Sequence, residues 1–197
     1  MAEAPSPLRL DGVLGYLEDS GRNLLHELDL SRAILNRAEP GGWSTAQVVE
    51  HLLRAETAML AIWVLVPKLQ RWPRLVRAVD RGNTSLWRRL GLRVIEPGGD
   101  RITPANAVSG RYSAPRFLSP PNKPETYEEL VGKRAAVRAR TLRAVARIPE
   151  EALARLVWSL PHSGSYSLLE IVQFIGIHES HHLPQMQRIR EQNSGAA

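Results

Sequence analysis

The sequence contains no cysteine, and this absence excludes several kinds of site at once. Disulfide bonds, cysteine nucleophiles and thiolate metal sites all require a residue that the chain does not have. A metal ion bound by this protein would therefore rest on nitrogen and oxygen ligands. Such a donor set suits Zn²⁺, Ni²⁺, Fe²⁺ or Mn²⁺.

Long apolar runs are missing as well. The most apolar stretch, over residues 59–67, covers only a few helical turns and is too short for a membrane span. The first residues, MAEAPSPLRLDG, lack the basic and then apolar layout of a secretory signal. We therefore expect a cytoplasmic protein with no membrane partner.

Lysine is scarce, and the formal charge of +6 is carried mostly by arginine. The arginines are densest over residues 71–89 and 134–147. We expect most of these side chains to lie on solvated faces, although the two clusters could attract an anion. They lack aromatic interleaving and a docking motif, so nucleic acid is not the expected partner; a nucleic-acid binder would show salt-dependent affinity and indifference to chelators.

The 197 residues are 43% hydrophobic, which fits one globular domain over 1–197. Helical periodicity predicts four principal helices, over about 11–37, 45–66, 127–148 and from 168 onward, with Pro67 closing the second. A short helical piece is predicted over 150–158. Capping boxes open the last three principal helices. Their residue pairs are Ser44 with Gln47, Thr126 with Glu129, and Ser167 with Glu170.

The predicted fold is therefore all-α, a four-helix bundle with tails at 1–9 and 191–197. An insertion over 67–124 separates the second and third helices, with short helices over 68–80 and 84–90 and a Pro-, Gly- and Ser-rich loop over 91–124. This loop either folds over one end of the bundle as a lid, through Tyr112 or Phe117, or wraps the outside as a crossover.

The last helix carries two histidines on its apolar stripe. His178 and His182 are four residues apart and about 40° from each other around the helix axis, so both imidazoles project from the expected inner face. His51 is the best-placed third ligand, because it shares the apolar stripe of the second helix. We therefore predict a metal site at His51, His178 and His182, with His181 as a flanking residue and His26 as a surface or boundary residue.

Other interpretations of these histidines stay open. Residues 178–182 also match H-E-x-x-H, in which Glu179 would be a general base. A metalloprotease is disfavoured, because Gln185 and Arg188 stand where the metzincin extension requires Gly and His. The histidines can also be structural, in a non-catalytic bundle that binds a small molecule or a partner.

These residues resemble the DinB/YfiT-like superfamily of metalloenzyme-like four-helix bundles, over about 10–190. The resemblance is carried by Gly42-Trp43-Ser44 before QVVEHL at 47–52, by the turn Pro161-His162-Ser163-Gly164, and by HESHH at 178–182 followed by Gln185.

The resemblance implies a divalent metal on His51, His178 and His182, with Zn²⁺ or Ni²⁺ ahead of Fe²⁺ or Mn²⁺, and a structural role for His162. It also implies a small-molecule substrate, in a transferase that uses a low-molecular-weight thiol such as bacillithiol or mycothiol, or in a hydrolase. Bundles of this kind often dimerise through helix faces, so a homodimer is expected.

Two carboxylates and one proline complete the predicted site. Glu179 and Glu50 are candidate general bases, since each lies within a turn of a predicted ligand; the alternative is a surface or supporting role. Pro184 removes the backbone donor to Ser180 and predicts a kink just past His182. The kink either spares the histidine pair or bends the helix to open the site.

Overall fold

The computed structural model describes residues 8–38, 41–70, 92–94, 118–160 and 164–194. Four long helices dominate this part of the chain, a result that confirms the predicted helical fold. Helix α1 packs along α5, and α2 packs on both α3 and α5. The long helices are α1 (Leu10–Leu30), α2 (Thr45–Gln70), α3 (Tyr127–Val145) and α5 (Leu168–Ser194), with a 3-10 turn (Arg32–Ile34) after α1 and a short helix α4 (Glu150–Arg155) before the strands.

Each of the three predicted capping boxes is present. The backbone N–H of Glu129 donates to Thr126 Oγ1 at 3.2 Å, and Thr126 N–H donates back to Glu129 Oε2 at 2.8 Å. The same reciprocal bonds join the other two pairs, Ser44 with Gln47 and Ser167 with Glu170. Helices α2, α3 and α5 therefore begin at the predicted capping residues, whose side chains satisfy free backbone N–H groups at the start of each helix.

Three helix ends differ from the predicted bounds by four residues or more. Helix α1 ends at Leu30 rather than near 37, and the 3-10 turn follows it. Helix α2 continues through Pro67 to Gln70, and α5 passes Pro184 and runs to Ser194, into the range predicted as a tail. Proline removes one backbone donor but its φ is helical, so packing against neighbouring helices can carry a helix past it.

A small antiparallel sheet was not predicted. The segment after Arg155 is extended, so the helix expected over 150–158 is wrong beyond that residue. Trp158 pairs with Leu92 on one side and with Tyr166 on the other. Pairing with strands distant in sequence decides this conformation, and local periodicity does not reveal it. The strands, in sheet order, are β1 (Leu92–Val94), β2 (Leu156–Leu160) and β3 (Gly164–Ser167).

The buried apolar residues form two separate clusters along the bundle. One contains Leu17 of α1, Trp63 of α2 and Ile171 of α5. The other contains Leu24 of α1 and Ile189 of α5, together with Val49 and Leu130. On each long helix a short polar segment lies between its two apolar stretches. A buried polar layer therefore crosses the middle of the bundle, and it includes Ser20, Glu56, Arg134, Arg138 and Glu179.

Several predicted features lie outside the described residues. These are residues 71–80 of the helix predicted over 68–80, the helix over 84–90, most of the loop over 91–124 with Tyr112 and Phe117, and His162. Within the described ranges, no helix combines the length and the apolar character that a membrane crossing requires.

Candidate metal centre

Three histidines from two helices converge in the bundle. Nε2 of His178 lies 3.3 Å from Nε2 of His51 and 3.2 Å from Nε2 of His182. One ring nitrogen from each of the three lies within 4.8 Å of the others. Two nitrogens bound about 2.1 Å from one tetrahedral ion are about 3.4 Å apart, so these spacings are those of ligands that share a metal.

The hydrogen bonds of two of these rings determine which nitrogen carries the proton. Nδ1 of His51 lies 3.0 Å from the carbonyl oxygen of Leu118, and Nδ1 of His182 lies 2.7 Å from Oε1 of Gln185. Because an oxygen of this kind only accepts, each Nδ1 carries the ring proton and each Nε2 presents a lone pair. Lone pairs that converge on one point fit a cation, and the donor set therefore fits a divalent metal.

Burial holds the three imidazoles in the neutral form. Desolvation lowers the pKa of His51, although the hydrogen bond to Leu118 opposes this shift. Desolvation lowers the pKa of His182 to about 4. It also lowers the pKa of His178 well below its ordinary value, with smaller contributions from the neighbouring imidazoles. At neutral pH all three rings are therefore in the form that binds metal ions.

Aromatic rings pack against the histidines and limit their rotation. The ring of Trp43 lies 5.0 Å from that of His51, and Phe174 stacks on His178 at 5.6 Å with an angle of 26° between the rings. His181 is exposed and touches only the edge of the group, 5.5 Å from the ring of His182. It therefore takes the flanking position that the helical wheel predicts.

Both predicted general bases are bound to cationic side chains. Glu179 is 3% exposed and accepts hydrogen bonds from Ser20 Oγ at 2.7 Å, Arg138 Nη2 at 2.8 Å and Arg134 Nη2 at 3.2 Å. Glu50 is paired with the ammonium group of Lys133. Each carboxylate is therefore adjacent in sequence to a predicted metal ligand and forms an ion pair. The catalytic roles of Glu50 and Glu179 stay predictions.

The buried ion pairs were missed by the sequence analysis. Arg134 and Arg138 are 8% and 9% exposed, so these two are exceptions to the expectation that most of the arginines lie on solvated faces. Arg138 forms two parallel bonds to Glu56, from Nε at 3.0 Å and from Nη2 at 3.2 Å. A signal was present in the sequence, because both arginines fall at helical spacing on the buried stripe of α3. That stripe also contains Leu130, Thr141 and Val145.

A small cavity lies between His178 and the buried ion pairs. It has room for about one water molecule, ≈ 10 Å³, and its polar lining comes from Glu56, Arg134, His178 and Glu179. Nε of Arg134 is buried and has no hydrogen-bond partner among the described residues. The histidine group and the charged layer are therefore direct neighbours inside the bundle.

Among the comparisons with known proteins, a family model matches the chain. No curated protein and no solved structure shows a significant match to the chain. The family model of the DinB superfamily matches residues 16–186, a range that contains all three histidines and the whole polar layer. Because the match covers most of the sequence, the chain belongs to the DinB superfamily.

Proposed function

We propose that the protein is a metal-dependent enzyme in which His51, His178 and His182 bind one divalent cation and leave at least one coordination position for substrate. The convergence of three Nε2 atoms, two of them in rings whose Nδ1 proton is committed to a carbonyl oxygen, carries the proposal. Three protein ligands are the usual number in catalytic zinc sites, whereas structural sites have four. Membership of the DinB superfamily supports the same function.

The reaction that we propose is thiol S-transfer or hydrolysis on a small molecule. A bound cation would supply Lewis acidity, which activates water for hydrolysis or a thiol for transfer. Because the chain has no cysteine, that thiol would belong to a low-molecular-weight substrate. Three neutral imidazoles favour Zn²⁺ or Ni²⁺ over Fe²⁺ or Mn²⁺ as the resident ion.

Glu50 and Glu179 remain our two candidates for the general base. Each directly precedes or follows a proposed ligand in the sequence, His51 and His178 respectively. The three donors that hold Glu179 favour a positioning role for its carboxylate over proton transfer. Glu50, which is bound by Lys133, is the stronger candidate base.

Metal content of protein purified without a histidine tag tests the proposal. We expect about one equivalent in the wild type and its loss in His51→Ala, His178→Ala and His182→Ala. His26→Ala is the matched control, because this histidine is exposed on α1 and should leave the metal content unchanged. No binding after reconstitution with Zn²⁺ and Ni²⁺ would make the three histidines structural and would end the catalytic proposal.

A further inference from the structure

We propose that Arg138 is a positioning residue that holds the two histidine-bearing helices at the register which the metal centre requires. This inference rests on the proposed metal site and adds a residue from a helix that contributes no ligand. Helix α2 carries His51, α5 carries His178 and His182, and Arg138 on α3 bonds to both of these helices.

The carboxylates that Arg138 joins lie close to the ligands along each helix. Glu56 is five residues after His51, and Glu179 directly follows His178. The guanidinium donates from Nε and Nη2 to the two oxygens of Glu56, and Nη2 also donates to Glu179 Oε1 at 2.8 Å. One planar group therefore determines the distance between a point on α2 and a point on α5 that are each near a ligand.

The remaining contacts make this bridge rigid. Nη1 of Arg138 donates to the carbonyl oxygen of Leu17 at 3.0 Å, which orients the guanidinium against α1. The side chains of Glu56 and Glu179 are each 4% exposed, so bulk water screens their interaction with Arg138 only weakly. Without the guanidinium between them, Glu56 would lose this cationic partner and Glu179 would keep only Arg134, so the two buried carboxylates would repel each other and favour separation of the helices.

The position of the bridge gives it an effect that apolar packing does not have. The charged layer lies between the two apolar clusters, and apolar contacts are non-directional. The fork of an arginine accepts only one alignment of its carboxylate partners. The axial register of α2 and α5, on which the 3.3 Å separation of His51 and His178 depends, is therefore determined mainly by Arg138.

A comparison of Arg138→Met with Arg138→Lys tests this role. We expect Arg138→Met to weaken Zn²⁺ binding about 10- to 100-fold in a chelator competition assay and to alter the visible spectrum of the Co²⁺ form. Lysine keeps the charge but not the fork, so Arg138→Lys should recover stability without recovering affinity. If Arg138→Met does not fold, the charge-balanced double variant Arg138→Met/Glu56→Gln removes the same bridge.

Arg190→Met provides the matched control. This substitution removes a different ion pair between helices, from Arg190 Nε of α5 to Oε1 of Glu27 of α1 at 2.7 Å. It should lower stability and leave the Zn²⁺ affinity within about twofold of wild type. An equal loss of affinity at equal loss of stability in both variants would show that Arg138 acts only through general stability, and the inference would be wrong.

A readout on the metal-free protein separates this inference from the proposed function. In the wild type we expect nuclear Overhauser effects between the imidazole protons of His51 and His178, whose ring centroids are 5.1 Å apart. These signals should disappear in Arg138→Met and persist in Arg190→Met. If the wild type binds no metal, the proposed function is wrong, but these signals still test the role of Arg138. If the signals persist in Arg138→Met, the inference that Arg138 positions the two helices is wrong.

Discussion

His182 shows how its surroundings would prepare one residue for the proposed metal site. Its Nδ1 proton is held by Gln185, its ring edge meets His178 and His51, and burial lowers its pKa to about 4. Each contact favours the neutral ring with Nε2 directed at the other histidines. The ring is thus oriented by a residue one helical turn further along the same helix.

Gln185→Ala should therefore weaken metal binding while leaving the three histidines in place. We expect a 10- to 100-fold higher Kd for Zn²⁺, because the ring of His182 loses the acceptor that fixes its tautomer and orientation. Gln187→Ala is the matched control, since this residue is exposed on the same helix. Equal Kd values for the two variants would contradict the role given to Gln185.

The second acceptor of this kind could not be predicted. His51 donates to the carbonyl oxygen of Leu118, a backbone group 67 positions further along the chain. Every residue has such a carbonyl, so no residue type marks the one that will face an imidazole. The bond from His182 to Gln185 was not predicted either, although the amide of Gln185 stands at helical spacing from His182, so the sequence carried a signal for it.

At the scale of a helix, the sequence of α1 is constrained by an arginine side chain from α3 that packs across it. Gly21 lies where the guanidinium of Arg134 passes over the helix, and a Cβ atom there would lie 2.1 Å from Nη2 of Arg134. By helix propensity alone, a glycine inside a helix only weakens it. Its close contact with a side chain from α3 supplies the reason for its presence.

Gly21→Ala should destabilise the protein even though alanine favours helices. The displaced guanidinium would have to leave Glu179, so we expect a loss of about 1–3 kcal/mol in the free energy of unfolding. Gly15→Ala in the same helix meets no atom within 4 Å and should instead gain about 0.5–1 kcal/mol. Urea unfolding of both variants gives the comparison, and a stabilised Gly21→Ala would refute the packing argument.

For the whole molecule, the desolvated histidines make stability depend on pH. In the metal-free protein the folded state holds His182 neutral down to about pH 4, whereas the unfolded chain binds a proton at about 6.5. Between these values the unfolded state binds more protons than the folded state. Stability is therefore fully present above about pH 6.5 and is lost as the pH falls toward 4.

We expect His182 alone to account for roughly 3 kcal/mol of this loss, since the pKa difference is about 2.5 units. Denaturant unfolding of chelator-treated protein between pH 7.5 and about 4 measures it. His182→Gln should give a shallower dependence, because it removes the group that takes up a proton on unfolding. A wild-type stability that stays constant over this range would be inconsistent with neutral, buried histidines.

The sequence alone determined the features that depend on neighbours in the chain. The helices of the bundle follow from apolar periodicity, and the starts of α2, α3 and α5 follow from capping boxes that close within four residues. Periodicity also selected the histidines that converge, because the inward stripe of a helix is defined by its own residues. The family could likewise be recognised from short motifs.

Only the tertiary structure decided which distant groups meet. Arg134 and Arg138 are charged, so composition assigns them to solvent, and their burial depends on Glu56 and Glu179 arriving from two other helices. The sheet likewise depends on strands that pair across the chain. A charge can be buried at low cost only where its partner lies within hydrogen-bond distance. These partners come within that distance only when the helices have packed.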